Sequence, residues 1–275
     1  MSLRSVWIIP FLTFALSLLA FLVSYCIAVY HNHVNALWPY ISDSGAMSPE
    51  SCVFGQLLNV AALFLAMTVY LRHRQIVEFY WHHLGQKGAW RIYSNVFLWV
   101  GFGAAIGISI VANFQEINVY SMHYCGAFLS FTCGLVYLWA QTLFSYLMNP
   151  QLISRCMCHF RLTLCLLSTA AYISTVVFAS LARVRLPKGV EPPNWHCMGH
   201  LYRWKTTDET YTQHTIATIS EWCLATFFQV YILSFAVELR HAYCHAPKLK
   251  LNTENLSKEE TSETGPSSVS EEQHN

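Results

Sequence analysis

The sequence predicts an all-α polytopic membrane protein, a bundle of six transmembrane helices with both termini in the cytoplasm. Three observations predict it. The 275 residues are 54% hydrophobic and only 11% charged, less than half of the roughly 25% charge that soluble domains carry. Six apolar stretches, 6–30, 52–71, 92–112, 123–147, 160–182 and 215–237, each reach the roughly 20 residues a helix needs to cross a bilayer core. Finally, eleven of the 16 Lys and Arg residues fall at the N-terminus, in loops two and four and in the tail. Loop five holds the other five, and loops one and three hold none. Basic residues stay in the cytoplasm, so both ends lie there. A net charge of +1 argues against a nucleic-acid partner, which would demand a strong basic field.

Transmembrane β-strands would alternate over about 10 residues, whereas these runs are longer and continuously apolar. The first, from Val6 to Tyr30, also exceeds the roughly 7–15 apolar residues of a secretory signal and reads as a retained span. Pro10 sits in its first turns, where a missing N–H costs little. Span two is expected to open at Ser48-Pro49-Glu50, with Ser as N-cap, Pro at the first helical position and Glu at the positive end of the dipole. Small residues recur along one face of span two (Gly55, Asn59, Ala62, Ala66), span three (Gly103, Gly107) and span four (Gly126, Ser130, Gly134). In lipid, close backbone approach at such residues drives helix association, so these faces turn inward. The membrane domain covers 1–240. The tail, 241–275, holds six Glu within 252–275 and few apolar residues, and is expected to be disordered.

Polar groups inside spans are costly and become candidate functional residues. Asn59, Asn113, His123, His214 and Glu221 all fall toward the non-cytoplasmic face. They either form a pocket for a headgroup, proton or small ligand, or hydrogen-bond one another and lock the bundle. In an acidic compartment, Glu221 with His123 or His214 would make a pH-sensing pair. Residues 39–45, Pro-Tyr-Ile-Ser-Asp-Ser-Gly, end in turn chemistry and are expected to form an ordered cap over the bundle mouth.

Cys52 and Cys197 fall in loops one and five, both on the oxidising face, where a disulfide is permitted. Cys156, Cys158 and Cys244 are cytoplasmic and adjoin helix ends, as palmitoylation sites or as free thiols. Cys26, Cys125, Cys133, Cys165 and Cys223 lie within spans as packing residues. His31-x-His33 and His196-Cys197-x-x-His200 lack the paired spacing of a zinc site, so no metal is expected. With no phosphate-binding loop, nucleophile elbow or metalloprotease motif, neither a cofactor nor catalytic residues are expected.

These residues also carry a resemblance. Pro39–Gly45 followed by Pro49-Glu50-Ser51, Phe54-Gly55 and Asn59 begin it. Ile110–Glu116, His123, Gly126-Ala127, Gly134, Tyr137, Gln141 and Ser145-Tyr146 continue it, and Trp204, Tyr211, His214 and Glu221-Trp222 complete it. Over about 1–240 the chain resembles the damage-regulated autophagy modulator (DRAM) family of six-span membrane proteins. The resemblance implies a non-enzymatic lysosomal or endolysosomal protein that promotes autophagy, with a link to stress or cell-death signalling, acting through membrane lipid and protein partners. A sister branch, similar in Ser48–Cys52 and Asn113–Gln115, includes plasma-membrane scaffolds for phosphoinositide-kinase complexes. A channel or transporter lined by Asn59, Asn113, His123 and Glu221 is the third expectation. The chain departs from the family pattern in its Cys-bearing fifth loop and acidic tail.

Overall fold

The computed structural model describes residues 2–3, 5–83, 85, 89–147, 153–184, 201, 203–240, 242 and 244–245. Its six helices are α1 (Ile8–Tyr30), α2 (Glu50–Ile76), α3 (Trp90–Asn113), α4 (Tyr120–Leu147), α5 (Arg155–Val184) and α6 (Tyr211–Leu239). All six are long and apolar enough to cross a membrane, as the hydropathy pattern predicts. Loops one, three and five gather at one end of the bundle, the odd-loop end. Loops two and four mark the other, the even-loop end. In a separate small unit, β1 (Ser2–Leu3) pairs antiparallel with β2 (Cys244–His245). Residues 252–275, the segment expected to be disordered, lie outside the described residues.

The helices run past the apolar stretches where polar side chains find partners. A π-helical turn, Val77–His83, extends α2, and α5 begins at Arg155. The opening of α2 differs from expectation. Pro49 occupies the N-cap and Ser48 makes no cap, because the helix starts one residue later, at Glu50. Glu50 is buried, and its Oε1 lies 2.6 Å from Nδ1 of His33 in loop one. The residue expected to complement the helix dipole therefore also ties loop one to α2.

The small-residue faces do turn inward. At Gly107 of α3, a Cβ would stand 2.5 Å from the Ser130 nitrogen and 2.8 Å from the Gly126 carbonyl oxygen on α4. Only a residue without a side chain permits that approach, which gains dispersion contact where lipid offers no hydrophobic drive. Helices α1–α2, α2–α3, α3–α4 and α5–α6 pack along much of their length, and α1 meets α6 to close the ring. The α4–α5 seam is thinner. Large apolar side chains such as Leu63, Trp99 and Ile173 point outward, as a hydrocarbon surround requires.

Candidate functional site

Loop one folds down onto the odd-loop end as a cap. Tyr25 Oη donates to the Ala36 carbonyl at 2.6 Å, and Trp222 Nε1 donates to the Pro39 carbonyl at 2.9 Å. The Ile41 N–H donates to Glu221 Oε2 at 2.9 Å. A 3₁₀ turn, Asp43–Gly45, follows. Its glycine is needed because a Cβ at position 45 would fall 2.5 Å from the Phe54 ring. Loop five supports the cap from outside: Asn35 Nδ2 donates to the Trp204 carbonyl at 3.0 Å. The Trp204 ring stacks on His214, and the Tyr40 ring meets the same imidazole edge-on.

Beneath this cap lies a cavity of about 200 Å³. Its walls are apolar, with Phe21, Phe54, Leu58, Phe131 and Phe228 among them. Its roof is polar: Tyr40, Glu116, Tyr120, His123, Arg183 and Glu221. Glu116, just beyond α3, is 7% exposed and its Oε2 has no hydrogen-bond partner. The Asp43 carboxyl lies beside that of Glu116. Burial, with Glu116 and Glu221 close by, pushes the Asp43 carboxyl well above the ordinary carboxylate range, against a backbone hydrogen bond at Tyr40. Burial, with Glu221 and Asp43 beside it, likewise raises the Tyr40 phenol and keeps it protonated. Arg183, at the end of α5, lays its guanidinium over the Tyr120 and Tyr124 rings at 5.3 and 5.5 Å.

The structure divides the five polar residues named from the sequence. Asn59 and Asn113 bond each other reciprocally at 2.9–3.0 Å, with Ser109 also donating to Asn59. They form an amide lock between α2 and α3, apart from the cavity lining. His123 and Glu221 both line the cavity. His123 Nδ1 donates to the Phe114 carbonyl at 2.7 Å, which fixes its tautomer and ties α4 to the end of α3. His214 sits one layer further out, between Trp204 and Tyr40. Asp43, Glu116 and Arg183 join the site without having been singled out, because loop residues 43 and 116 look solvated in the sequence. The signal was there in Ser42-Asp43-Ser44 and Gln115-Glu116, acids flanking the cap and the end of span three.

A second polar constellation sits at the even-loop end. Glu238 of α6 makes ion pairs with both Arg72 of α2 and Arg161 of α5. All three side chains are at most 3% exposed. Arg72 Nε also donates to Gln141 at 3.1 Å and its Nη1 to Gln75 at 2.8 Å. Arg161 Nε donates to Ser234 at 2.8 Å and its Nη1 to Ser145 at 3.3 Å. The Phe235 ring lies under both guanidinia, 4.6 Å from Arg161 Cζ and 5.4 Å from Arg72 Cζ. The charge count assigned these arginines to loops two and four; the structure instead buries them inside helices. Glu238, between Val237 and Leu239, supplies the compensating charge that makes this possible.

The cysteines sort differently from their sequence reading. Cys158 is fully buried, and its thiol donates to the Ser145 carbonyl at 3.4 Å, so it is no acylation site in this fold. Cys156 is exposed, and Cys244 lies in β2. Cys26 and Cys125 are exposed on the bundle surface instead of packed, because they fall on the outward faces of α1 and α4. Cys52 is exposed at the start of α2, while Cys197, its expected partner, lies outside the described residues. Among the described residues no group of His, Cys, Asp and Glu is placed to hold a metal.

Residues 5–242 match the family model described as the Frag1/DRAM/Sfk1/Cwh43P N-terminal domain. The chain belongs to this family. Among its relatives, the human DNA damage-regulated autophagy modulator protein 1 is 35% identical over 233 residues, 85% of this chain and 90% of that protein. The bovine DNA damage-regulated autophagy modulator protein 2 is 34% identical over 221 residues, 78% of this chain and 79% of its own length. A Xenopus laevis relative named modulator of macroautophagy TMEM150B-B is 35% identical over 161 residues, 58% of this chain and 66% of that protein. No solved structure matches the chain. The matched region takes in the whole helical bundle, with its cap, cavity and buried ion triad.

Proposed function

We propose that this protein is a non-enzymatic regulator in the lysosomal or endolysosomal membrane that promotes autophagy, coupled to stress or cell-death signalling. It acts through membrane lipid and protein partners, with both termini in the cytoplasm. The observation that carries the reading is the match along 85% of the chain to a protein named as an autophagy modulator. The geometry supports it as well. The polar side chains of the bundle act chiefly as bridges between elements: Asn59 to Asn113, His123 to Phe114, Glu221 to Ile41, and Glu238 to Arg72 and Arg161. Such bridges hold the helices and loop one in one arrangement.

The test is deletion of the gene under starvation, with autophagic flux as the readout. Flux should fall and recover with the wild-type chain. Unchanged flux in cells that normally express the protein refutes the reading. Tagged protein should follow lysosomal and not surface markers, and protease should reach tags at both termini only from the cytoplasmic side.

A further inference from the structure

We propose that the cavity under the loop-one cap binds a phospholipid whose head carries a primary ammonium group. Three features converge on that chemistry, and none of them depends on the autophagy reading, which survives if this proposal fails.

The first is the acceptor. Glu116 is 7% exposed, its Oε2 is unpartnered, and it lines the cavity. A buried acceptor without a donor costs free energy. The ligand that satisfies it must bring an N–H or O–H, and a carboxylate binds a charged donor more strongly than a neutral one. A primary ammonium brings three donors and that charge; a quaternary ammonium brings the charge with no donor.

The second is the anion contact. Arg183 lines the same polar end, and its guanidinium suits a phosphate. A zwitterionic head with ammonium toward Glu116 and phosphate toward Arg183 meets both groups at once. A simple organic cation brings no anion to the guanidinium.

The third is the route. Phe128 of α4 and Val176 of α5 both line the cavity, yet are 57% and 42% exposed on the bundle surface. The cavity therefore reaches the hydrocarbon-facing side along the thin α4–α5 seam. Its volume takes a head and the first carbons of a chain, and the remaining hydrocarbon lies along the seam, against apolar side chains that already face lipid.

The test uses the full-length protein purified in mixed micelles containing equal amounts of isotopically distinct phosphatidylethanolamine, phosphatidylcholine and phosphatidylglycerol. Lipid retained after washing is counted by mass spectrometry. Phosphatidylethanolamine should be enriched about tenfold over the other two, the scale of one charge-assisted hydrogen bond. Glu116→Gln should bring the three to parity. Val176→Trp, at a position 42% exposed, should close the seam and remove retained lipid while leaving Glu116 intact. Equal retention of all three lipids by the wild-type protein overturns the proposal. So does enrichment that persists in either variant. If soluble phosphoethanolamine competes as well as the lipid does, the hydrocarbon half of the proposal falls.

Discussion

Replacing Glu238 by Gln removes one charge and strands two. In the folded bundle the Glu238 carboxylate faces the guanidinia of Arg72 and Arg161, with all three side chains at most 3% exposed. Removing one partner from a buried ion pair costs about 3–5 kcal/mol, because the remaining charge stays desolvated. Here two charges are left. Gln141, Gln75, Ser145 and Ser234 continue to accept their hydrogen bonds, and the Phe235 face stays beneath both. Those contacts hold the expected loss to the lower part of the range, about 3 kcal/mol, or about a hundredfold in the folding equilibrium. Equilibrium unfolding by SDS in mixed micelles, followed by circular dichroism, reads this directly. A triple variant, Arg72→Met, Arg161→Met and Glu238→Leu, should unfold much closer to wild type, since it removes the charges together. A loss for Glu238→Gln within about 1 kcal/mol, the size of an exposed pair, refutes the argument.

Three further outcomes follow from the geometry. Asp43 has a folded pKa raised above its ordinary value of 3.8, so its contribution to stability is complete below about pH 4 and is lost as pH rises through the folded value. Thermal stability in detergent should therefore climb as pH falls from neutral, and Asp43→Asn should flatten part of that slope; an unchanged slope contradicts the assignment. Gly107→Ala forces a methyl against the Ser130 backbone and should destabilise by about 1–3 kcal/mol in the same SDS assay, whereas wild-type behaviour would mean that α3 and α4 do not approach this closely. If the chain is acylated near α5, acyl-exchange labelling should vanish in Cys156→Ser and persist in Cys158→Ser, because only the first thiol is exposed.

Hydrocarbon thickness makes long apolar runs legible, so six helices could be read although their ends could not, and the helical spacing of Gly107, Gly126 and Ser130 marked the faces that meet. The cap at 39–45 was legible too, because Asp-Ser-Gly chemistry points to a turn. What could not be read was partnership. Nothing in the local pattern around Arg72 says that a carboxylate 166 positions later will meet it, so a helix-interior arginine looks like a loop charge. Asp43 and Glu116 fail for the same reason: each is an ordinary loop acid until the fold sets one against the other. Asn59 and His214 were read from the sequence as sharing a depth, yet a shared depth does not place side chains in one cavity. Depth follows from span position, whereas azimuth around the bundle depends on how neighbouring helices are rotated.

The uneven packing around the ring has a mechanical outcome. Stiffness concentrates where glycines let α3 and α4 backbones touch and where Glu238 bolts α2 to α5 and α6 at the even-loop end. Compliance concentrates along the seam between α4 and α5, which is packed less extensively than α3 on α4. Lateral strain would therefore part α4 from α5 before it parts α3 from α4.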